Sequence, residues 1–139
     1  MRGCVVNVAT GRFVKGQQRL CAAIGAHAFV GWYDELPAGS PAHADVPYAF
    51  KAYALAAAAE LGHRLLLWAD ACIVPAVPPA VPLDALFDRI SRDGYWISHN
   101  GWTNAQWTSD TAYADLGISP EENARVPHEI GRASCRERV

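Results

Sequence analysis

The sequence predicts an α/β fold built on an open, mainly parallel sheet with flanking helices. Apolar runs of strand length alternate with helical patterns along the chain, an order that favours parallel strand pairing. Residues 65–69 form an unbroken apolar run between Gly62 and Pro75, which is typical of a strand buried on both faces. Hydrophobic residues make up 51% of the 139 residues and charged residues only 19%, so the chain can bury a core.

The first half of the chain predicts strand, helix, strand and then a long loop. Residues 4–9 (CVVNVA) are β-rich and apolar, and residues 28–33 (AFVGWY) repeat that character. Residues 15–26 between them carry the spaced apolar positions of a weakly amphipathic helix. The thirteen residues 34–46 contain no regular pattern, and loops of that length are often functional.

A helix over residues 48–61 is predicted by Pro47 at its start and Gly62 at its end. Seven alanines between positions 49 and 59 favour the helix and give it a thin profile for packing on a sheet. Lys51 lies near its first turn, which is the unfavourable end of the helix dipole for a cation. That placement indicates an anionic partner, although an ordinary surface lysine is nearly as compatible with it.

The second half predicts a connector, two further helices and a short strand. Four prolines in residues 75–82 indicate an extended connector. Residues 83–94 have the clearest amphipathic pattern in the chain, and residues 95–98 predict a short strand. Ser119 begins a capping box with proline at the first helical position, so another helix starts there.

Asp70 is the first candidate site residue, because it ends the central apolar strand. Open α/β sheets bind their ligands at the carboxyl ends of the strands. An acid at the rim of a core costs free energy unless it has a partner. The alternative is that Asp70 only caps the turn after the strand.

Composition and motifs exclude several classes of protein. The net charge is −2 with no basic patch, which argues against a nucleic-acid partner. No apolar run is long enough to predict a membrane span, and the amino-terminal residues do not resemble a signal peptide. The four cysteines lack metal-ligand spacing, and two fall in predicted apolar elements. We therefore expect reduced, buried thiols and a cytoplasmic protein.

The last eleven residues, 129–139 (EIGRASCRERV), look like a translated sequencing-adapter read-through. They have no apolar period and carry three arginines. We therefore expect residues 129–139 to be a non-native tail that packs against nothing, and residues 1–128 to be the amino-terminal portion of a longer domain.

Residues 46–75, VPYAFKAYALAAAAELGHRLLLWADACIVP, resemble the core of retaining, nucleotide-sugar-dependent glycosyltransferases of the GT-A fold and of related bacterial proteins. Those families combine a Tyr-x-x-Lys helix with a hydrophobic strand that ends in Asp-x-Asp. A helix like that of residues 82–87 commonly follows. The resemblance implies the amino-terminal part of a GT-A nucleotide-diphospho-sugar transferase domain, and a glycosyltransferase that uses a nucleotide-diphosphate sugar as donor and a carbohydrate as possible acceptor.

The resemblance also assigns residues. Asp70 matches the first acid, which faces the donor sugar and a metal-bound diphosphate, and is the candidate catalytic residue. Lys51 matches the lysine that approaches the donor phosphates, and Thr10 lies in the segment that lines the nucleotide. Cys72 stands where the family has its second acid, and a thiol is a poor ligand for Mg²⁺ or Mn²⁺. A metal held by Asp70 with other ligands, a metal-free site and a loss of catalysis all stay open.

A second candidate site follows the predicted strand at residues 95–98. His99, Asn100 and Trp102 begin a segment rich in indole, amide and hydroxyl groups, a combination common in carbohydrate sites. A core-filling aromatic cluster is the alternative for the tryptophans.

Two other functions fit the same residues. One is a non-catalytic carbohydrate- or nucleotide-binding module on the same scaffold. The other is an unrelated α/β enzyme in which Asp70 is a nucleophile or base. The motifs of a nucleophile elbow, a P-loop and a dinucleotide fingerprint are all absent from the sequence.

Overall fold

The computed structural model describes residues 3–73, 81–96, 98–103 and 108–130, with the backbone alone for residues 98–102 and 127–130. The chain divides into two compact units, Met1–Trp96 and Ile97–Gly131. Within the described ranges, no helix combines the length and the apolar character needed to cross a bilayer.

The first unit alternates strands and helices in the predicted order. Its strands are β1 (Cys4–Ala9), β2 (Ala28–Tyr33) and β3 (Leu66–Trp68). Its helices are α1 (Val14–Ala23), which a single 3-10 turn (Gly11–Phe13) precedes, α2 (Ala49–Glu60) and α3 (Leu83–Asp93).

The three strands form one parallel sheet in the order β2-β1-β3. Cys4 on β1 is level with Ala28 on β2 and with Leu66 on β3. The predicted open, parallel α/β arrangement with flanking helices is therefore confirmed for this unit, although the sheet is small.

Helices cover both faces of the sheet. On one face, α1 and α3 pack Leu20, Ile24, Phe87 and Ile90 against Val5, Leu65 and Leu67. On the other face, α2 packs two fully buried alanines, Ala54 and Ala58, against Cys4, Val6, Leu66 and Trp68. The two alanines are four residues apart and so lie on one side of the helix, where their small size allows α2 to lie close to the strands.

The two crossover connections of the sheet run in opposite directions. The chain passes from β1 through α1 to β2 on one side, and then returns through α2 to β3 on the other side of β1. The carboxyl ends of β1 and β3 lie side by side, and we call the space beyond them the crevice, because open α/β sheets bind ligands at the carboxyl ends of their strands.

The second unit consists of β4 (Ser98–Thr103), α4 (Asp110–Leu116), α5 (Pro120–Asn123) and β5 (Pro127–Ile130). The strands β4 and β5 pair antiparallel with an irregularity between His99 and Thr103. The predicted capping box is confirmed, because the Ser119 hydroxyl accepts from the Glu122 amide at 3.2 Å and the Glu122 carboxylate accepts from the Ser119 amide at 2.8 Å.

Two predictions about this region are wrong. The strand predicted over residues 95–98 begins only at Ser98 and continues to Thr103, and Tyr95 and Trp96 lie outside it. It also pairs with β5, whereas the predicted order implied a parallel fourth strand. Its partner β5 was not predicted, because four residues are too few to establish an alternating pattern.

The expected non-native tail begins inside a strand. Glu129 and Ile130 pair with His99 and Ser98, so these two residues belong to β5. Residues 131–139, and with them Cys135, lie outside the described residues.

Candidate functional site

The carboxyl ends of β1 and β3 form the floor of the candidate site. The Ala69 amide donates to the Val6 carbonyl at 3.1 Å, so the pairing of the two strands continues to the residue before Asp70. Because the strands are parallel, Thr10 after β1 and Asp70 after β3 leave the sheet at the same edge. Thr10 is exposed there, at the start of the 3-10 turn that leads into α1.

Lys51 and Asp70 meet at this edge. The Lys51 Nζ atom lies 3.0 Å from Asp70 Oδ1, and about a third or less of each side chain is exposed. Lys51 is the third residue of α2, and α2 runs antiparallel to β3, so its first turn lies beside the end of that strand. The carboxylate of Asp70 therefore offsets the unfavourable position of the lysine at the helix start.

Two aromatic rings enclose the lysine. The Nζ atom of Lys51 lies 5.2 Å from the ring centroids of both Tyr48 and Trp68, within the range of cation–π attraction. The indole Nε1 of Trp68 also donates to Asp70 Oδ1 at 2.8 Å. Asp70 Oδ1 thus accepts from a cation and from an indole, and the four side chains form one cluster, which we call the Lys51 cluster.

Tyr48 is held in an unusual backbone conformation at the start of α2. Its φ is +64°, in the left-handed region that bulky residues rarely adopt, at a cost of about 1–3 kcal/mol. The Tyr48 amide donates to His43 Nδ1 at 3.0 Å, and the two rings are in edge-to-face contact at 4.8 Å. Tyr48 is 62% exposed, so the strained conformation presents a largely open aromatic ring beside Lys51.

A buried hydrogen-bond network formed by Asn7 and Gln17 connects the strands near this edge of the sheet. Asn7 Nδ2 donates to the Ala69 carbonyl at 2.6 Å, and Gln17 Nε2 donates to Asn7 Oδ1 and to the Trp32 carbonyl, both at 2.9 Å. Asn7 is completely buried and Gln17 is 2% exposed. The network joins α1 to the carboxyl halves of all three strands and fixes the residue that precedes Asp70.

The turns after β1 and β2 are also joined. The Gly11 amide donates to Asp34 Oδ1 at 2.5 Å, and the Asp34 amide donates to the Ala9 carbonyl at 2.9 Å. Asp34 has a φ of +55°, which aspartate tolerates better than most residues. These bonds place the turn that begins at Thr10 next to the end of β2.

Comparisons with known proteins identify no relative. No family model matches the chain, and neither the curated proteins nor the solved structures contain a match. The site must therefore be interpreted from its own chemistry.

The structure brings some of the predicted site residues together. Lys51 and Asp70, which the resemblance assigns to the same donor, lie in contact, and Thr10 lies at the same edge of the sheet. The side chains of His99, Asn100 and Trp102 lie outside what the structure describes, so their proposed contact with a sugar stays a prediction. Cys72 is exposed, and so is Cys21. The expectation of buried thiols therefore holds among the described cysteines for Cys4 alone.

The described residues offer a divalent metal ion few protein ligands. Nowhere in the described part of the chain do three or more His, Cys, Asp or Glu residues form a metal-binding group. Asp70 Oδ1 is already bonded to Lys51 and Trp68, and the thiol of Cys72 is a soft ligand. Mg²⁺ that binds together with a substrate phosphate usually takes one or two protein carboxylates and several waters, so Asp70 would be its main described protein ligand here.

Several residues of the site were not anticipated. Asn7 had a signal, because a lone amide in an apolar strand indicates a buried hydrogen-bond partner. Tyr48 is the tyrosine of the Tyr-x-x-Lys segment, but no role was assigned to it. Trp68 had no signal, because an apolar strand is an ordinary place for an aromatic side chain. Their role depends on tertiary contacts with Lys51.

Proposed function

We propose that the crevice beside the Lys51 cluster binds the diphosphate of a nucleotide sugar and that the protein is a glycosyltransferase of the GT-A type. The observation that carries the proposal is the Lys51–Asp70 pair at the carboxyl end of a parallel sheet. The resemblance of residues 46–75 to the Tyr-x-x-Lys and Asp-x-Asp segments of those enzymes supports the same assignment.

The chemistry of the cluster suits a diphosphate. Lys51 presents a compact cation that can bond phosphate oxygens through three donors. The position of Lys51 in the first turn of α2 adds the positive end of the helix dipole to the same place. In this proposal Lys51 binds the donor phosphates, and the turn that begins at Thr10 lines the nucleotide.

The exposed ring of Tyr48 suits the sugar part of the ligand. Aromatic faces pack against the C–H groups of sugar rings, and an adjacent carboxylate such as Asp70 can accept from sugar hydroxyls. The same arrangement is compatible with a carbohydrate acceptor beside the donor.

The proposed reaction breaks the bond between the anomeric carbon of the donor sugar and the β-phosphate oxygen. An acceptor hydroxyl oxygen forms the new bond to that carbon, and its proton passes to the departing diphosphate. Negative charge develops on the leaving diphosphate, and the positioned ammonium of Lys51 would stabilise that charge in the transition state.

The first test is calorimetric binding of uridine and guanosine diphosphates. Lys51→Met should weaken diphosphate binding by about 1.5–3 kcal/mol, the range for a charge-assisted hydrogen bond, because it removes the cation and retains a long apolar side chain. Binding of the bare nucleoside should change little, because the nucleoside lacks the phosphates.

Lys15→Met is the matched control. Lys15 is the only other lysine of the chain, and it lies exposed on α1 outside the Lys51 cluster. Equal losses for the two variants would indicate a general charge effect. Failure of every nucleoside diphosphate to bind the unaltered protein would reject the proposed function.

A non-catalytic nucleotide- or carbohydrate-binding module is the second candidate. The observation that favours it is the engagement of Asp70 by Lys51 and Trp68, together with Cys72 at the position of the second acid. Release of free sugar from a nucleotide sugar, or its transfer to an added saccharide, separates the two functions. Binding without either product would favour the module.

A further inference from the structure

We propose that Lys51 replaces the divalent cation at this site, and that Asp70 competes with the diphosphate for Lys51 instead of anchoring a metal. This inference rests on the proposed function, since it names how that site neutralises its ligand. It reverses the role that the resemblance implies for Asp70.

One oxygen of the Asp70 carboxylate already has two hydrogen-bonding partners. Its Oδ1 atom accepts from Lys51 Nζ at 3.0 Å and from Trp68 Nε1 at 2.8 Å. Trp68 ends β3 and is 1% exposed, so its indole holds the carboxylate in a fixed position beside the lysine. A metal ion at this oxygen would have to displace a covalently tethered cation.

The described residues give Asp70 few partners with which to bind a metal ion. Asp70 has no His, Cys, Asp or Glu partners that would complete a metal-binding group in the described part of the chain. The thiol two positions further on is that of Cys72, which suits neither Mg²⁺ nor Mn²⁺. The positive charge that the structure places beside Asp70 is that of Lys51.

In this proposal, a diphosphate competes with the Asp70 carboxylate for Lys51. The pair is partly exposed, and ion pairs of this kind are weak. A diphosphate carries more charge than one carboxylate and offers more acceptor oxygens, so it can take Lys51 from Asp70. The Tyr48 and Trp68 rings, both 5.2 Å from Nζ, keep the ammonium at the crevice while its anionic partner changes.

The two roles of Asp70 predict opposite effects of one substitution. If Asp70 anchors a metal, Asp70→Asn should weaken the binding of uridine diphosphate in the presence of Mn²⁺. If Asp70 competes for Lys51, Asp70→Asn should tighten that binding about threefold or more, with or without Mn²⁺, because the lysine is released and a repelling charge is removed.

The experiment measures the affinity of the intact chain for uridine diphosphate and for inorganic pyrophosphate, each in EDTA and in Mn²⁺. Glu60→Gln is the matched control, because it removes the same charge from the exposed last residue of α2, about 14 Å from Lys51 along the helix. We expect less than about a twofold effect of Mn²⁺ on the unaltered protein and tighter binding for Asp70→Asn alone.

A measurement without any ligand tests the ion pair between Lys51 and Asp70. The chain has two lysines, so chemical labelling followed by mass spectrometry reports on each separately. Lys51 should react more slowly than Lys15, and Asp70→Asn should accelerate the labelling of Lys51 without changing that of Lys15.

Each outcome decides between the two roles. Binding of Mn²⁺ by the unaltered protein at micromolar concentration, or weaker diphosphate binding by Asp70→Asn, overturns the inference. If pyrophosphate binds as expected and no nucleotide does, the inference stands and the proposed function fails. If neither anion binds, both fail.

Discussion

Gln17 shows how much of the site depends on side chains that never reach a ligand. Its amide donates to the Asn7 side chain and to the Trp32 carbonyl, at 2.9 Å each, and it is almost wholly buried. Gln18, the next residue, is exposed, and its side-chain amide donates to the hydroxyl of Tyr33. Two adjacent glutamines on one helix therefore have opposite surroundings.

The two glutamines allow a matched test of the network. Gln17→Ala leaves the buried Asn7 amide oxygen and the partly buried Trp32 carbonyl without this donor, so we expect it to lower the free energy of unfolding by about 1–3 kcal/mol. Gln18→Ala should change it by about 0.5 kcal/mol or less, as surface substitutions usually do. Urea denaturation of both variants measures the difference, and equal values would contradict a structural role for the network.

At the same scale, the sequence identified Asp70 and Lys51 but not the contact between them. The local sequence pattern shows where a residue lies in a helix or a strand. An acid at the end of a strand and a lysine in the first turn of a helix can both be recognised in this way. The identity of the anion beside Lys51 depends on how α2 packs on β3, which no local pattern specifies. The partner inferred to be a ligand is, in the free protein, Asp70 itself.

At the scale of elements, Gly16 determines how closely α1 approaches the turn after β3. A Cβ atom at this position would lie 2.0 Å from the carbonyl oxygen of Ala71. Glycine inside a helix is otherwise unfavourable, so its presence here has a packing reason. The first turns of α1 thus rest directly on the residue that follows Asp70.

Gly16→Ala should therefore destabilise the protein although alanine is the better helix former. In an open helix position the change would gain up to about 1 kcal/mol, whereas forcing the backbones apart costs about 1–3 kcal/mol. Gln18→Gly, at an exposed position of the same helix, measures how much glycine lowers the stability of the helix without any packing contact. Thermal unfolding of both variants gives the comparison, and a gain in stability for Gly16→Ala would refute the close contact.

The elements that were predicted correctly have long or strongly patterned sequences. The helix over residues 83–94 was recognised from its apolar spacing, and α3 covers Leu83–Asp93 with Gly94 at its end. The two helices of the second unit have seven and four residues, too few to show a period. Of these two helices only α5 was predicted, because the Ser119 capping box is a local hydrogen-bonding signal.

At the scale of the whole molecule, Cys4 links the stability of the sheet to pH. Its side chain is completely buried in the face that α2 covers. Burial disfavours the thiolate and raises the pKa of Cys4 from its ordinary 9.0 to about 11, while a backbone hydrogen bond with Val30 opposes this in part. A proton is therefore bound more tightly by the folded chain than by the unfolded one.

Because the pKa of Cys4 is raised in the folded chain, we predict that the protein loses stability at high pH. The contribution of Cys4 is fully present below about pH 9 and is lost as the pH rises through about 11, because the unfolded thiol ionises first. The loss is on the order of 2 kcal/mol, at about 1.4 kcal/mol for each pKa unit. Denaturation at pH 8 and pH 11 should show this decline in Cys21→Ala and a smaller one in Cys4→Ala. Identical declines would show that Cys4 has no such effect.

The hydrogen bond from Asn7 to the Ala69 carbonyl has a consequence for motion at the crevice. Ladder bonds between strands can fray one at a time from an end, but this bond passes through a side chain that Gln17 also holds. Detaching the end of β3 therefore disturbs α1 and, through the Trp32 carbonyl, β2. We therefore expect local unfolding at this edge to be cooperative across the sheet, and the amide protons of the rim of the crevice to exchange slowly with solvent.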